Sequence, residues 1–241
     1  MQANELLDFG YMLQLIPRVA AGIPVSLSIA CVAFIFGILL GFAVALVKIY
    51  KVPVALQISQ VYVSFMRGTP LLVQIFLSYY GLPLVLRYLS SIYGWNIDIS
   101  SIHAITFMYV SFSLNVGAYL SETIRAAILS VNKGQIEAAE ALGMTTPQAL
   151  RRIIIPQAAV VAIPNLGNSF ISLLKDTSLA FAASVPEIIG HAKIAAARSS
   201  KFFEAYIVAA IMYWLICIIF ERLVSIAERR LRRHERGVIN D

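Results

Sequence analysis

The sequence predicts an all-α membrane protein with about five transmembrane helices, and three observations carry this prediction. The chain has 241 residues, and 59% of them are hydrophobic. Only 13% are charged, whereas about 25% of the residues in soluble domains are charged. Several apolar segments approach the roughly 20 residues that a helix needs to cross a bilayer core. The composition therefore argues against an ordinary soluble domain.

Four apolar segments meet the length test for a membrane-spanning helix. They are residues 24–47, 70–86, 102–120 and 205–220. A fifth segment, residues 158–174, is more polar and contains Pro164. Membrane helices tolerate proline where neighbouring groups satisfy the freed backbone, so this segment counts as span four. Residues 6–21, before the first span, have the pattern of an amphipathic helix lying on the membrane surface.

The distribution of lysine and arginine predicts the topology. Basic residues follow spans one, three and five: Lys48, Lys51, Arg125, Lys133, Arg151, Arg152, Arg222, Arg229, Arg230, Arg232, Arg233 and Arg236. The positive-inside rule therefore places the N-terminus outside and the C-terminus in the cytoplasm. One loop disagrees, because Lys193, Arg198 and Lys201 fall on the predicted outer side; the denser C-terminal cluster decides the assignment.

This topology divides the chain into three parts. Residues 1–23 form the amphipathic N-terminal segment, residues 24–225 the transmembrane domain, and residues 226–241 a basic cytoplasmic tail. Within the transmembrane domain, residues 131–156 form a long cytoplasmic loop between spans three and four.

The cytoplasmic loop has the pattern of two short helices joined by a sharp turn. Residues 135–142 can form about two helical turns, roughly 12 Å long. Gly143 suits the left-handed position that ends a helix. Thr146 is then predicted as the N-cap of a second helix, with Pro147 at its first position. Such a stiff segment is suited to docking into a cleft on another protein, but a plain connector is an equally good reading of the capping residues alone.

A family resemblance favours docking over a plain connector. Glu137, Ala138 and Ala139, followed by Gly143 and Pro156, resemble the EAA loop in the membrane subunits of ABC importers. The usual loop ends in Leu-Pro, where this chain has Ile155-Pro156. Four stretches resemble the polar amino acid permease branch: RGTPLLVQ (67–74), SLNVGAYLSETIRAAI (113–128), VNKGQIEAA (131–139) and IPQAAVVAIPNLGNSFISLLKDTSLA (155–180). The resemblance extends from about residue 15 to about residue 230.

The resemblance implies a pore-forming subunit of an ATP-driven amino acid importer in the bacterial cytoplasmic membrane, working by alternating access. The loop would be a coupling helix seated on a cytoplasmic ATPase subunit through Glu137, Ala138, Ala139, Leu142 and Gly143. The other implied partners are a second permease chain, identical or similar, and an extracytoplasmic binding protein, with no nucleic acid. The substrate would be a polar L-amino acid, and cystine is one candidate.

The chain has no G-x-x-x-x-G-K-[ST] phosphate loop, which is the usual nucleotide-binding signature. We therefore expect no cofactor in this chain, and we assign ATP and Mg²⁺ to the partner ATPase subunit.

Polar residues recur on one face of each of two predicted spans. Span three carries Ser111, Asn115, Tyr119 and Glu122, and span four carries Asn165, Asn168, Ser169, Ser172 and Asp176. These spacings place each set on one helical face. Two such faces can line a cavity for a zwitterionic solute. The alternative is that serine and asparagine only bond helices together; we favour that role for the serines, although Ser172 remains a site candidate.

For Asn115 and Asp176 we favour substrate binding, because the cavity of the family lies near the matching positions; Tyr119 is included with them. Glu122 is expected to pair with Arg125 three residues on.

Residues 67–70, Arg-Gly-Thr-Pro, interrupt the approach to span two. They predict either a discontinuous helix beside the transport path or an interfacial arginine before the span begins. Under the first reading, Arg67 and Thr69 join the substrate-binding candidates.

Two other classes of protein fit the sequence less well. A self-contained secondary carrier would show internal repeats and an ion site, and the sequence has no convincing repeat. A membrane-embedded enzyme would need a catalytic cluster at membrane depth. The sequence shows no Ser-His-Asp, Cys-His or paired-carboxylate arrangement, and its histidines and cysteines have no metal-site spacing.

Overall fold

The structure, a computed structural model, describes residues 7–95 and 98–239, without the side chains of residues 100 and 231–239. Its α-helices in chain order are α1 Phe9–Ala20, α2 Ile23–Tyr50, α3 Ala55–Gly68, α4 Leu71–Phe76, α5 Leu82–Tyr93, α6 Ala104–Leu129, α7 Lys133–Ala141, α8 Thr146–Ala149, α9 Ile155–Asp176, α10 Ile188–Ala197 and α11 Phe202–Ile239. Two π-helical segments, Leu77–Gly81 and Leu150–Ile154, and two 3₁₀ segments, Ile99–Ser101 and Thr177–Ala183, connect some of them.

Five helical stretches of the described chain are long and apolar enough to cross a membrane, as predicted. They are Ile23–Tyr50, Leu71–Tyr93, Ala104–Leu129, Thr146–Ala183 and Phe202–Arg230. Each is longer than its predicted span, because helices continue past the apolar window into polar residues. The fourth span remains helical through Pro164. The described region contains no strand, and the all-α prediction is confirmed.

The helix α3 was not predicted, because its sequence mixes polar and apolar residues. It ends at Gly68, Thr69 is extended, and α4 begins at Leu71 after Pro70. The hydroxyl of Tyr62 on α3 donates to the carbonyl oxygen of Leu114 on α6 at 2.6 Å. Residues 67–70 therefore form a break between two helices, and the membrane-spanning stretch begins after it, at Leu71; whether this break lies beside the transport path stays a prediction.

The helices α2 and α6 form the centre of the fold and approach each other closely. A Cβ atom on Gly37 of α2 would lie only 2.4 Å from Cγ1 of Val116 on α6, so glycine is required for this contact. Bulky apolar side chains fill the remaining space around this pair, including Ile29, Phe112 and Leu120. The close contact makes α6 a rigid support for the side chains on its other faces.

The amphipathic pattern of the N-terminal segment is present in α1. Its apolar residues Leu15 and Val19 are fully buried, and α1 packs against α10 and α11. At its start, Asp8 pairs with Lys201, and this ion pair lowers the pKa of the Asp8 carboxyl. Of the three basic residues in the predicted outer loop, Lys201 is therefore paired with a carboxylate. Residues 1–6 lie outside the described range, and the position of α1 at the membrane surface stays a prediction.

The loop before span five contains a buried carboxylate that sequence reasoning did not single out. Glu187 is fully buried and precedes α10. It accepts hydrogen bonds from the backbone N–H groups of Ile189, at 3.0 Å, and Gly190, at 2.8 Å. The hydroxyl of Tyr213 on α11 donates to the same carboxylate at 2.5 Å. Glu187 therefore caps α10 and joins it to α11.

We expect Glu187→Ala to destabilise the protein, because it leaves these three donors without an acceptor. An unsatisfied buried donor costs about 1–3 kcal/mol. The measurement is thermal unfolding of the detergent-purified protein beside Glu221→Ala, which removes an exposed carboxylate from α11. A midpoint for Glu187→Ala equal to that of the control would contradict the capping role.

Candidate functional site

A polar cavity of about 620 Å³ lies between the start of α4, one face of α6 and one face of α9. Its polar lining residues are Thr69, Asn115, Tyr119, Thr123, Asn165, Asn168, Ser169, Ser172 and Asp176. Apolar side chains such as Leu71, Val116 and Leu173 complete the wall. The cavity is large enough for an amino acid, since small-molecule sites occupy about 300–1,000 Å³.

The polar face of α9 supplies most of the cavity's polar groups. All five residues of the predicted span-four stripe line it, because a spacing of three and four residues keeps them on one face of the helix. The opposite face of α9 carries the buried apolar residues Phe170, Ile171 and Leu174. The two faces of α9 thus have separate roles, one in the apolar core and one at the cavity.

The α6 side of the cavity holds Asn115 and Tyr119, as predicted, but not the rest of that stripe. Ser111 is 4% exposed and bonds to a backbone carbonyl of its own helix, so it neither lines the cavity nor makes the bond between helices that was favoured for it. Glu122 accepts from Arg125 at 2.9 Å, as expected, and also from Lys48 of α2 at 2.6 Å. Lys48 was not foreseen, since it is far away in sequence.

Arg67 and Thr69 occupy different places at the break between α3 and α4. Thr69 lines the cavity. Arg67 is not among the lining residues; its guanidinium carbon lies 5.5 Å from the centre of the Tyr119 ring. Arg67 is therefore connected to the cavity only indirectly, through a cation–π contact with Tyr119, which lines it.

Gln74 is a functional candidate that sequence reasoning did not single out, although it ends the quoted RGTPLLVQ stretch. It is buried on α4, and its amide nitrogen contacts the backbone oxygens of Met66 and Thr69. Its amide oxygen accepts from Nδ2 of Asn115 at 2.9 Å. The nitrogen of Asn115 is therefore engaged inside the protein, and Oδ1 is the atom left to face a solute.

The electrostatic character of the cavity is set by one carboxylate. Asp176 is the only carboxylate among the lining residues, and none of these residues is basic. Lys175 directly precedes Asp176 in α9 and is exposed. A cavity with one carboxylate, amides and hydroxyls can hold an ammonium group and hydrogen-bond a carboxylate.

The loop between spans three and four consists of α7 and α8 joined by a tight turn. Gly143 has φ of +75°. Its N–H donates to the carbonyl of Glu140, and the N–H of Met144 donates to the carbonyl of Ala139. These two bonds form a Schellman motif, which satisfies the last carbonyls of the helix. The predicted order of helix, left-handed glycine and helix is confirmed.

The N-cap of the second helix was predicted one residue too late. Thr145 is the extended residue before α8, and its N–H donates to Oε1 of Gln148 at 2.9 Å. Thr146 is already helical, so Pro147 occupies the second position and not the first. The pair of adjacent threonines made the position ambiguous, and the reciprocal bond with Gln148 selects Thr145.

The side chains of the loop between spans three and four differ in exposure. Glu137 and Ala138 are exposed, and Leu142 is 80% exposed. Ala139, by contrast, is 1% exposed, because it lies on the face of α7 that packs toward α8 and the following π-helical segment. The loop therefore exposes the apolar side chain of Leu142 at its tip, whereas Ala139 is packed inside the loop.

Five membrane-spanning helices with a polar cavity between them define a polytopic membrane transport protein. A family described as "Binding-protein-dependent transport system inner membrane component" matches residues 33–233. The chain therefore belongs to this family.

Similar proteins narrow the assignment. The chain is 41% identical to "Probable amino-acid ABC transporter permease protein PatM" of Vibrio harveyi, over 94% of this chain and 97% of that protein. It is 38% identical to "L-cystine transport system permease protein TcyL" of Bacillus subtilis (strain 168), over 98% and 96%. A structure titled "Crystal structure of an amino acid ABC transporter with histidines" superposes with a TM-score of 0.79 at 34% identity, covering 94% of this chain and 100% of that chain.

These findings give the chain its general role. It is a multi-pass protein of the cytoplasmic membrane and the pore-forming permease subunit of an ABC amino acid importer.

Proposed function

We propose that this permease binds a polar, zwitterionic L-amino acid in the cavity between α4, α6 and α9 and releases it inward by alternating access. The observation that carries the proposal is the cavity itself. A polar lining with one carboxylate occurs between helices long enough to cross the membrane. A charged side chain at the centre of a bilayer costs about 2.5–3.5 kcal/mol on insertion scales, so Asp176 calls for a functional explanation.

Five polar lining residues of the cavity, together with Arg67, have a role in this proposal. The carboxylate of Asp176 holds the α-ammonium group of the substrate. Oδ1 of Asn115 accepts a second hydrogen bond from the same group, and the hydroxyls of Tyr119 and Ser172 donate to the substrate carboxylate. The hydroxyl of Thr69 donates to the carbonyl oxygen of Phe65 at 2.8 Å, so Thr69 forms part of the wall of the site. Arg67 supports the site by holding the ring of Tyr119. Charge-assisted hydrogen bonds are the strong ones, so Asp176 contributes most to affinity.

The proposed orientation places the N-terminus outside and the C-terminus in the cytoplasm. In this orientation α7 and α8 lie on the cytoplasmic side, between spans three and four. The Lys48–Glu122–Arg125 cluster lies near the cytoplasmic ends of spans one and three. Arg229 and Arg230 follow at the end of span five; the side chains of Arg232, Arg233 and Arg236 lie outside the described set. Positive charge near these ends supports the assignment.

We assign α7 and α8 to docking on a cytoplasmic ATPase subunit. The exposed tip residue Leu142 would enter an apolar groove, and Glu137 and Ala138 would lie at its edge. The Schellman turn at Gly143 fixes the angle between the two helices. Since α8 continues through a π-helical segment into α9, movement at the loop would be transmitted directly to a cavity wall.

A second permease chain would cover the open side of the cavity. Asn165, Asn168, Ser172 and Asp176 are exposed on α9 within a membrane-spanning segment. A polar face of this kind is unfavourable against lipid tails. An identical or similar permease chain facing it across the pathway would remove that cost. An extracytoplasmic binding protein would deliver the amino acid to the outer side.

Cystine is the first substrate to test, because TcyL is named as a cystine permease. The test is ATPase activity of the reconstituted complex, titrated with each amino acid in the presence of its binding protein. We expect stimulation by zwitterionic substrates. Stimulation by none of them would contradict the proposal.

We predict that the chain purified without partners neither hydrolyses ATP nor transports an amino acid, because its sequence lacks a phosphate loop. The measurement is phosphate release by the isolated chain, compared with the complex after the ATPase subunit is added back. ATPase activity that follows this polypeptide through purification would contradict the prediction.

A further inference from the structure

The side chain of Gln74 bridges the break between α3 and α4. It is 4% exposed. Its Nε2 donates to the carbonyl oxygen of Met66 at 2.9 Å and to that of Thr69 at 3.1 Å. It also lies 2.9 Å from Oγ1 of Thr69. Oε1 of Gln74 accepts from Nδ2 of Asn115 on α6 at 2.9 Å.

These bonds replace the ones that the break removes. A helix end leaves its last carbonyl groups without partners, and the break immediately precedes the membrane-spanning stretch that begins at Leu71. Gln74 supplies an N–H group to the end of α3 from within α4. Through Asn115 the same amide is tied to α6, so one side chain fixes the positions of three helices.

Gln74 does not itself contact the polar cavity. It is absent from the residues that line it, whereas Thr69, Asn115 and Leu71, which adjoin its bonds or its helix, are present. Gln74 instead faces a small apolar space with Leu82 and Leu114 on the other side of α4. Any influence on a solute therefore passes through the neighbours that it holds.

We propose that Gln74 is a positioning residue for the substrate: it holds Thr69 and Asn115 in the arrangement that an amino acid must meet in the cavity. This inference rests on the proposed function of the cavity. It predicts that loss of the Gln74 amide weakens substrate recognition more than it impairs folding, assembly or turnover.

The test is the Gln74→Met variant in the complex with its ATPase subunit and binding protein. Methionine retains the length of the side chain and removes its donors and acceptor. We expect the amino acid concentration that gives half-maximal ATPase stimulation to rise about tenfold, since several neutral hydrogen bonds are lost. Maximal stimulated activity, basal activity and the yield of assembled complex should stay as in the wild type.

Ser78→Ala is the matched control. Ser78 is buried in the same span, and its hydroxyl donates to the carbonyl of Phe107 on α6 at 3.2 Å. Ser78 therefore connects span two to α6, as Gln74 does, without contacting the break between α3 and α4. The half-maximal concentration should not change in this variant; an equal rise in both variants would reduce the role of Gln74 to general packing and overturn the proposal.

A double-mutant cycle separates positioning from direct contact. Thr69→Val removes the hydroxyl that lies against Gln74 and alone should raise the half-maximal concentration about threefold. If Gln74 acts partly through Thr69, the double variant should raise the half-maximal concentration by less than the product of the two single effects. Effects that multiply would show two independent residues and would contradict the proposal.

Gln74→Glu provides a second route if Gln74→Met does not assemble. Glutamate retains the size of glutamine and an acceptor for Asn115 but lacks the amide donor, so the same rise is expected. An unchanged half-maximal concentration in an assembled variant, or a fall in maximal rate alone, overturns the inference. If the wild-type complex responds to no amino acid, the proposed function is wrong and the inference falls with it.

Discussion

We expect Gly143→Asp to abolish amino acid uptake while the protein still reaches the membrane. Gly143 has φ of +75°, and a side chain in this conformation costs roughly 1 kcal/mol. The larger effect comes from the negative charge, because the turn lies directly beside the exposed Leu142 that we assign to the ATPase groove. Uptake should fall to background, whereas ATPase activity of the complex persists or decreases.

Two control variants separate the contributions of strain, charge and position. Gly94 also has a left-handed φ, of +67°, and open space around it, but it lies in the predicted outer loop. Gly94→Asp introduces the same strain and charge away from the proposed docking surface and should retain uptake. Gly143→Ala introduces strain alone and should reduce uptake only partly. Normal uptake by Gly143→Asp, measured beside normal expression, would argue against the docking role.

We expect Asn115→Leu to block transport outright and Asp176→Asn to weaken substrate binding. Leucine at position 115 fills part of the cavity and removes the donor to Gln74. Asparagine at position 176 removes the charge-assisted part of binding, worth about 1.5–3 kcal/mol or roughly ten- to hundredfold in affinity. The measurement is substrate-stimulated ATPase activity. Asp176→Asn should shift the half-maximal substrate concentration by this factor and leave basal activity unchanged.

Matched variants test whether these effects belong to the cavity. Ser113→Leu adds the same bulk to α6, but Ser113 faces an apolar groove formed with α2 and not the polar cavity. It should retain transport. Lys175→Gln tests the alternative that Asp176 acts through its basic neighbour. If Lys175→Gln and Asp176→Asn both change basal activity or assembly, with a fixed half-maximal concentration, Asp176 is not in the binding site.

The features that the sequence predicted are those written in local patterns. Five spans follow from hydropathy, and the polar face of α9 follows from residue spacing along one helix. The turn at Gly143 is also local, because a left-handed glycine and its capping bonds lie within a few residues. The error of one position at Thr145 arose where two adjacent threonines offer equivalent capping chemistry.

The features that were missed depend on contacts between distant parts of the chain. Gln74 looks like an isolated amide in an apolar run, and only its approach to Asn115 gives it a role. Glu187 looks like a charged loop residue, and only the packing of α10 against α11 buries it. Lys48 meets Glu122 because α2 and α6 pack side by side. Contacts between residues that are distant in sequence cannot be predicted from local patterns, and they become visible only in the folded structure.

The central claim is that the cavity between α4, α6 and α9 opens alternately to the two sides of the membrane under the control of ATP. The most direct measurement uses Ser172→Cys, with Cys31 and Cys217 replaced by serine, in the assembled complex. A membrane-impermeant thiol reagent is applied from each side, with and without ATP. We predict that ATP changes the side from which position 172 reacts and that substrate slows the reaction. Reaction from the same side in both conditions, with no protection by substrate, would contradict the account.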